Sequence, residues 1–268
     1  MLEYGPGGLV GVLTPQANTT VEAEFWILVP PGVNLINARL VSGAAAMNDR
    51  LIAYAETLEV ALAQFGDAPL SAVAFACTGS SYLLGADREA ALVQTLQAAR
   101  RTPIVTAAGA IRRALLVLGA RRVALVSPYD ADLTALALTY WRAAGLEITQ
   151  VLAPAFGPAG FHSIYTLSAD AVLEAIDHVD TDAQSVVLLG TGMPSLGPIL
   201  KRAGGRPVIS SNLCLAWMTT SLALRIPFDR DSLMAWVGGA GWSERFIARM
   251  AGSDGPPRTP SAIMAPGA

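Results

Sequence analysis

Two short apolar segments recur at a single spacing, and that recurrence limits the possible folds more than any other feature. Val10-Gly11-Val12-Leu13-Thr14-Pro15 is matched by Val123-Ala124-Leu125-Val126-Ser127-Pro128. Val73-Ala74-Phe75-Ala76-Cys77-Thr78-Gly79 is matched by Val186-Val187-Leu188-Leu189-Gly190-Thr191-Gly192. Thr14 thus pairs with Ser127 and Cys77 with Gly190, 113 residues apart in both cases. A third pair, Pro103-Ile104-Val105-Thr106 and Pro207-Val208-Ile209-Ser210, is more closely spaced, so the second copy has a shorter loop. A chain that repeats its strand-and-turn order builds the same unit twice.

The unit is α/β. Leu9–Leu13, Ala72–Ala76, Ile104–Thr106, Val123–Val126, Val186–Leu189 and Val208–Ser210 are short, continuously apolar runs. Such runs suit parallel strands covered on both faces. The stretches between them, such as the one beginning at Thr19 and the one around Ala110–Leu118, have helical character and make βαβ units. If a pseudo-two-fold axis relates the halves, the C-terminal ends of both strand sets face one cleft, where open α/β sheets bind ligands. Cys77 and Gly190 then stand on opposite walls. The expected division is 1–115 with 212–251 as a first α/β domain, 116–211 as a second, and 252–268, rich in Gly, Pro and Ser, as a mobile tail.

Composition narrows the function. The 268 residues are 53% hydrophobic and 15% charged, with net charge -3. A nucleic-acid partner needs a basic face that this balance does not offer. The mean hydropathy of +0.45 makes a membrane span worth testing. The two uncharged stretches, 68–86 and 207–224, contain Thr78-Gly79-Ser80-Ser81 and Ser210-Ser211-Asn212. A spanning helix does not carry such polar interruptions at mid-depth. With no signal peptide visible and only two cysteines, cytoplasmic localisation is expected. Two distant histidines and two cysteines give no zinc-ligand spacing, so no metal is expected. No phosphate-binding or dinucleotide glycine motif and no G-x-S-x-G elbow is present, so no cofactor is expected either.

Cys77 is the chemical candidate. It ends a strand and opens a turn containing Gly79, where backbone N–H groups attract anions and lower a nearby thiol's pKa. Cys214, among apolar residues on a helix, reads as packing. His178 reads as a solvated helix end and His162 as structural. Trp26 and Trp217 read as core. Asn18 suits a helix N-cap as well as a substrate contact, and Thr78 and Thr191 could cap the helices that follow them.

These residues also carry a resemblance. Pro15-Gln16-Ala17-Asn18-Thr19-Thr20-Val21-Glu22 resembles the N-terminal Pro-x-x-Asn-Thr-Thr-x-Glu motif of maleate cis–trans isomerases. Ala76-Cys77-Thr78-Gly79-Ser80 resembles their first cysteine motif, Ser127-Pro128-Tyr129 their tyrosine-bearing turn, and Pro207–Asn212 with Ala216-Trp217 their C-terminal motif. The chain thereby resembles the aspartate/glutamate racemase superfamily, nearest to maleate isomerases and arylmalonate decarboxylases. The resemblance implies two flavodoxin-like domains with parallel sheets and the active site in the cleft between them. It further implies a cofactor-independent enzyme for a small mono- or dicarboxylic acid, with homo-oligomerisation left open. Cys77 is implied to be catalytic, and Asn18, Thr78, Gly79, Ser80, Tyr129, Phe161, Gly190, Thr191 and Gly192 to contact substrate.

Two departures matter. Maleate isomerases carry a second cysteine where this chain has Gly190, and an asparagine where it has Phe161. Arylmalonate decarboxylases keep one cysteine, on the second-half wall. This chain resembles the mirror arrangement, with an apolar loop of Phe156, Phe161 and Ile164. One thiol suits proton delivery from one side, so decarboxylation of a substituted malonate is expected, with Cys77 as general acid and hydrogen-bond donors rather than arginines holding the charge. Isomerisation through Cys77 as nucleophile is the alternative, and a non-catalytic acid-binding homologue a third.

Overall fold

A computed structural model describes residues 2–156, 163–179 and 182–251. The first half runs β1 (Gly8–Pro15), α1 (Val21–Leu28), β2 (Val33–Leu40), α2 (Met47–Glu56), α3 (Leu58–Ala63) and β3 (Ala72–Phe75). It continues with α4 (Thr78–Leu84), α5 (Ala86–Arg100), β4 (Ile104–Thr106) and α6 (Ala107–Leu118). The second half runs β5 (Arg122–Val126), α7 (Ala131–Ala143), β6 (Glu147–Leu152), a 3₁₀ turn (Ser163–Thr166), α8 (Ala169–Asp177) and β7 (Ser185–Leu188). After α9 (Leu196–Lys201) and β8 (Val208–Ser210) come α10 (Ser211–Leu224), α11 (Arg230–Val237) and α12 (Ser243–Ala251).

The duplication is visible in the strand order. One sheet is ordered β2-β1-β3-β4 and the other β6-β5-β7-β8, so each strand of the first half has a counterpart at the same place in the second. All pairings in both sheets are parallel. The central strands β1, β3, β5 and β7 are almost wholly buried, which is why continuously apolar runs mark them. The edge strands β2 and β6 escaped the sequence reading. Val33–Leu40 alternates buried and part-exposed positions and includes Asn34, Asn37 and Arg39; Glu147–Leu152 has no fully buried residue. The opposite edge strands, β4 and β8, are wholly buried and were legible; β2 and β6 are the edges that solvent reaches, and so have less burial to record in their sequence.

Helix α10 follows the last strand of the second sheet but packs against β1, β3, α1 and α6 of the first half. It is buried nearly all round, as its Ser-Asn-Leu-Cys-Leu-Ala-Trp run requires once covered on every side. Cys214 and Trp217 lie in this core, as expected. Trp26 does not: it is 52% exposed, on the outer side of an eight-residue helix whose Val21, Phe25 and Leu28 face inward. His178 ends α8 in solvent, its Nδ1 2.8 Å from the Glu174 carbonyl. The expected tail, Phe161 and His162 lie outside the described residues. Among the described residues no helix is long and apolar enough to cross a membrane. The stretch 68–86 contains β3 and all of α4, and 207–224 forms β8 and α10.

Candidate active site

The ends of four central strands converge on one hollow. β3 runs into Ala76 and Cys77, β1 into Ala17 and Asn18, β5 into Tyr129, and β7 into Gly190 and Thr191; the last residue of each of these segments lines the space. This is the carboxyl edge of both sheets, where strand termination leaves backbone groups and turn side chains free for a ligand. The enclosed volume is about 50 Å³. On the scale of one water per 10–15 Å³ it holds only a few small groups.

Cys77 occupies the N-cap position of α4 and is 3% exposed. Burial pushes its thiol above the ordinary range; the Ser80 hydroxyl and the N–H groups of Ser80 and Gly79 pull the other way without cancelling that. The turn acts in the expected direction, but the desolvation of a buried sulfur outweighs its three weak donors and favours the protonated thiol. Ser80 does not line the hollow: it sits behind the sulfur, with Oγ 2.6 Å from the Leu51 carbonyl and 3.1 Å from Cys77 Sγ.

The second half reaches across to the first. Tyr129 Oη is 2.7 Å from Thr78 Oγ1, so the expected turn tyrosine meets the residue after the thiol. Burial holds its phenol protonated well past neutral pH. Neither threonine caps a helix by its side chain. Thr191 Oγ1 instead donates to the Ala76 carbonyl at 2.9 Å and accepts from Asn18 Nδ2 at 3.2 Å. Asn18 Oδ1 accepts from the Thr20 and Val21 N–H groups at the start of α1, although Thr20 rather than Asn18 holds the N-cap position, while Nδ2 faces the second wall.

Gly190 has φ +82°, the left-handed region that favours glycine. A Cβ there would lie 2.8 Å from Pro128 Cγ and 3.3 Å from Tyr129 Oη. The space opposite Cys77 is therefore filled by the Pro128-Tyr129 turn. Gly192 is equally constrained, since its Cβ would meet the Tyr165 ring at 2.5 Å and Ile164 at 2.9 Å. Ile164 and Tyr165 roof the hollow by resting on that glycine. Gly79 packs against Leu51, whose Cδ1 would stand 2.8 Å from an added Cβ.

Three residues of importance were not anticipated. Glu24, wholly buried on α1, accepts from Ser195 N at 2.6 Å, Ser195 Oγ, Leu196 N and, at 2.8 Å, Asn212 Nδ2. Asn212 Nδ2 also donates to the Thr191 carbonyl at 3.0 Å, so this carboxylate helps hold the second wall in place. Burial raises its pKa, against the pull of those donors. The third is Arg50, which lines the hollow although no arginine was expected there. Its signal was present: Met47, Arg50, Leu51 and Tyr54 recur at helical spacing and share the face of α2 turned to the site. Among the described residues no group of three or more His, Cys, Asp and Glu side chains converges as a metal site would require.

Comparison with known proteins agrees with this geometry. A family profile described as arylmalonate decarboxylase matches residues 10–229. Maleate isomerase from Pseudomonas putida KT2440 is 23% identical over 243 residues, spanning 85% of this chain and 95% of that protein. A cysteine-to-alanine variant of the maleate isomerase Iso from Pseudomonas putida S16, crystallised with maleate, superposes with a TM-score of 0.76 at 25% identity, covering 87% of this chain and 98% of the other. Arylmalonate decarboxylase shares the fold at a TM-score of 0.62 and 23% identity, over 80% and 92% of the two chains. With duplicated parallel sheets, a thiol at their shared edge and a profile match along most of its length, the chain belongs to the arylmalonate decarboxylase family.

Proposed function

We propose that the protein is an enzyme that removes one carboxylate from a small substituted malonate, with Cys77 delivering a proton to one face of the enediolate. The observation that carries this reading is the pairing of one thiol, pushed by burial toward its protonated form, with an opposite wall whose reactive position is closed by Pro128. A thiol that holds its proton is a general acid rather than a resting nucleophile.

In this reading the retained carboxylate lies among nearby backbone N–H groups and the Thr78–Tyr129 hydroxyl pair, which has one proton left to give, since the Thr191 hydroxyl already donates to the Ala76 carbonyl. The departing carboxylate lies against the apolar side of the hollow, near Leu51 and Ile164. Poor solvation there favours loss of its charge as carbon dioxide. The carbon–carbon bond breaks, its electron pair moves to the α-carbon, and the retained carboxylate takes up the charge as an enediolate. Fixed donors stabilise that charge as it develops. The Cys77 S–H proton then passes to the α-carbon, and the thiolate regains a proton from solvent. The small volume of the hollow favours a short substituent over an aryl ring.

A second reading, isomerisation of maleate or a related cis-enoate, is favoured by relatives that are maleate isomerases. There the Cys77 thiolate adds to one alkene carbon, the electron pair moves into the neighbouring carboxylate, the new single bond rotates, and elimination returns the trans acid and the thiolate. Incubation with methylmalonate, phenylmalonate and maleate separates the two. Release of carbon dioxide from the smaller malonate is the expected result. Conversion of maleate to fumarate without carbon dioxide release gives the second reading, and turnover of none of the three acids leaves an acid-binding homologue.

A further inference from the structure

Arg50 is the only charged side chain among the described residues that line the hollow. Its situation differs from that of the nearby Arg39, which is consumed by structure: Arg39 pairs with Glu22 at 2.6 Å and donates to the carbonyls of Pro15 and Asn18. Arg50 has no ion-pair partner among the described residues. Among the described residues its Nη2 donates to the Ala45 carbonyl at 3.1 Å, and its buried Nε meets no acceptor. A guanidinium carries five donors in a planar fork suited to a carboxylate. Among the described residues most of that capacity is unused, on the helix face that also presents Met47, Leu51 and Tyr54 to the site. The positive charge is felt by the phenols of Tyr54 and Tyr165 on neighbouring parts of the lining.

We propose that Arg50 binds a second carboxylate of the substrate, one that keeps its charge throughout the reaction, and so favours short acids bearing two persistent anionic groups over those bearing one. The charge argument fixes which group this is. A guanidinium on a departing carboxylate would stabilise the anion in the ground state and oppose its loss as neutral carbon dioxide. The group on Arg50 is therefore not the one that leaves. In the malonate reading it is an acid on the substituent; in the isomerisation reading it is the far end of the enedioate. The inference rests on the hollow being a carboxylic-acid site, and not on which bond the enzyme breaks. Arg50 is thus a specificity-determining residue.

The test uses the full chain and no turnover. Alkylation of Cys77 by iodoacetamide is followed by peptide mass spectrometry, with the core thiol Cys214 as internal reference, in the presence of succinate or butyrate. These acids share a four-carbon chain and differ by one carboxylate. Succinate is expected to protect Cys77 at a concentration about ten-fold or more below that needed for butyrate, as a charge-assisted fork requires. Arg50→Gln should remove that preference while leaving butyrate protection unchanged. Arg50→Lys, which keeps the charge without the fork, should retain part of it, and guards against a glutamine variant that folds poorly. Equal protection by the two acids in the wild type, or a succinate preference that survives in Arg50→Gln, overturns the assignment of Arg50 and leaves the acid site standing. Protection by neither acid overturns both.

Discussion

The loop after β3 and the loop after β7 occupy equivalent places in a duplicated fold, yet they do different work. The first supplies the thiol and buries it against Ser80 and the start of α4. The second supplies no reactive side chain: its glycine takes a left-handed conformation, Pro128 and Tyr129 fill the space beside it, and Thr191 ties it to the backbone of the first loop. Duplication gave both halves the same backbone edge, and side chains alone put a thiol on one wall and closely packed Pro128 and Tyr129 on the other. Glu24 belongs to the second role. It lies on the first half but spends its hydrogen bonds holding Ser195, Leu196 and Asn212 of the other wall's support.

The sharpest way to break this contrast is to remove the chemical side. Cys77→Ala should lower turnover of the true substrate by at least the roughly 10²–10⁴-fold of a lost general acid, with circular dichroism unchanged. An alanine variant of normal activity would falsify the role of the sulfur. Tyr129→Phe asks how much the second half contributes in polar terms. It deletes one donor facing Thr78 and should reduce kcat by about 10²–10³-fold if that donor meets developing charge. A change confined to KM would instead mark Tyr129 as a ground-state contact.

Gly190→Cys attempts to make the two walls alike. The new Cβ must displace Pro128 or Tyr129 and the residue must hold φ +82°. A loss of about 1–3 kcal/mol in unfolding free energy is expected from denaturant titration. A variant as stable as the wild type, with gained maleate isomerase activity, would show that the walls are interchangeable. The mildest test is pH. With the thiol raised by burial, activity that depends on the protonated sulfur should persist through neutral pH and fall only as pH climbs beyond the free-cysteine value of about 8.5. Alkylation of Cys77 should accelerate over that same alkaline range, because the thiolate is the reactive form. Activity that instead rises with pH in step with the alkylation rate would mean the sulfur works as a thiolate.

Much of this architecture was legible before any coordinates. The central strands announce themselves because burial on both faces forces continuous apolar runs, and the spacing of 113 residues between Cys77 and Gly190 already implied facing walls. The sheets bear this out, each with its counterpart strands in the same order. Asn18 at the start of a helix and Tyr129 after Ser127-Pro128 were legible for the same reason: turns and caps restrict residue type locally.

What the amino-acid order determined by itself, then, was everything fixed by local conformation and by which segments must avoid water: the parallel strands, their duplication, and a cysteine at a strand end. Tertiary packing decided the rest. It placed Arg50 in the hollow, filled the space beside Gly190, turned Trp26 outward and let desolvation override the lowering that the Cys77 turn was expected to exert on its thiol. Each of these depends on what distant segments bring to within a few ångströms. Desolvation and steric exclusion are properties of the assembled surroundings, and no single stretch of chain encodes its own surroundings.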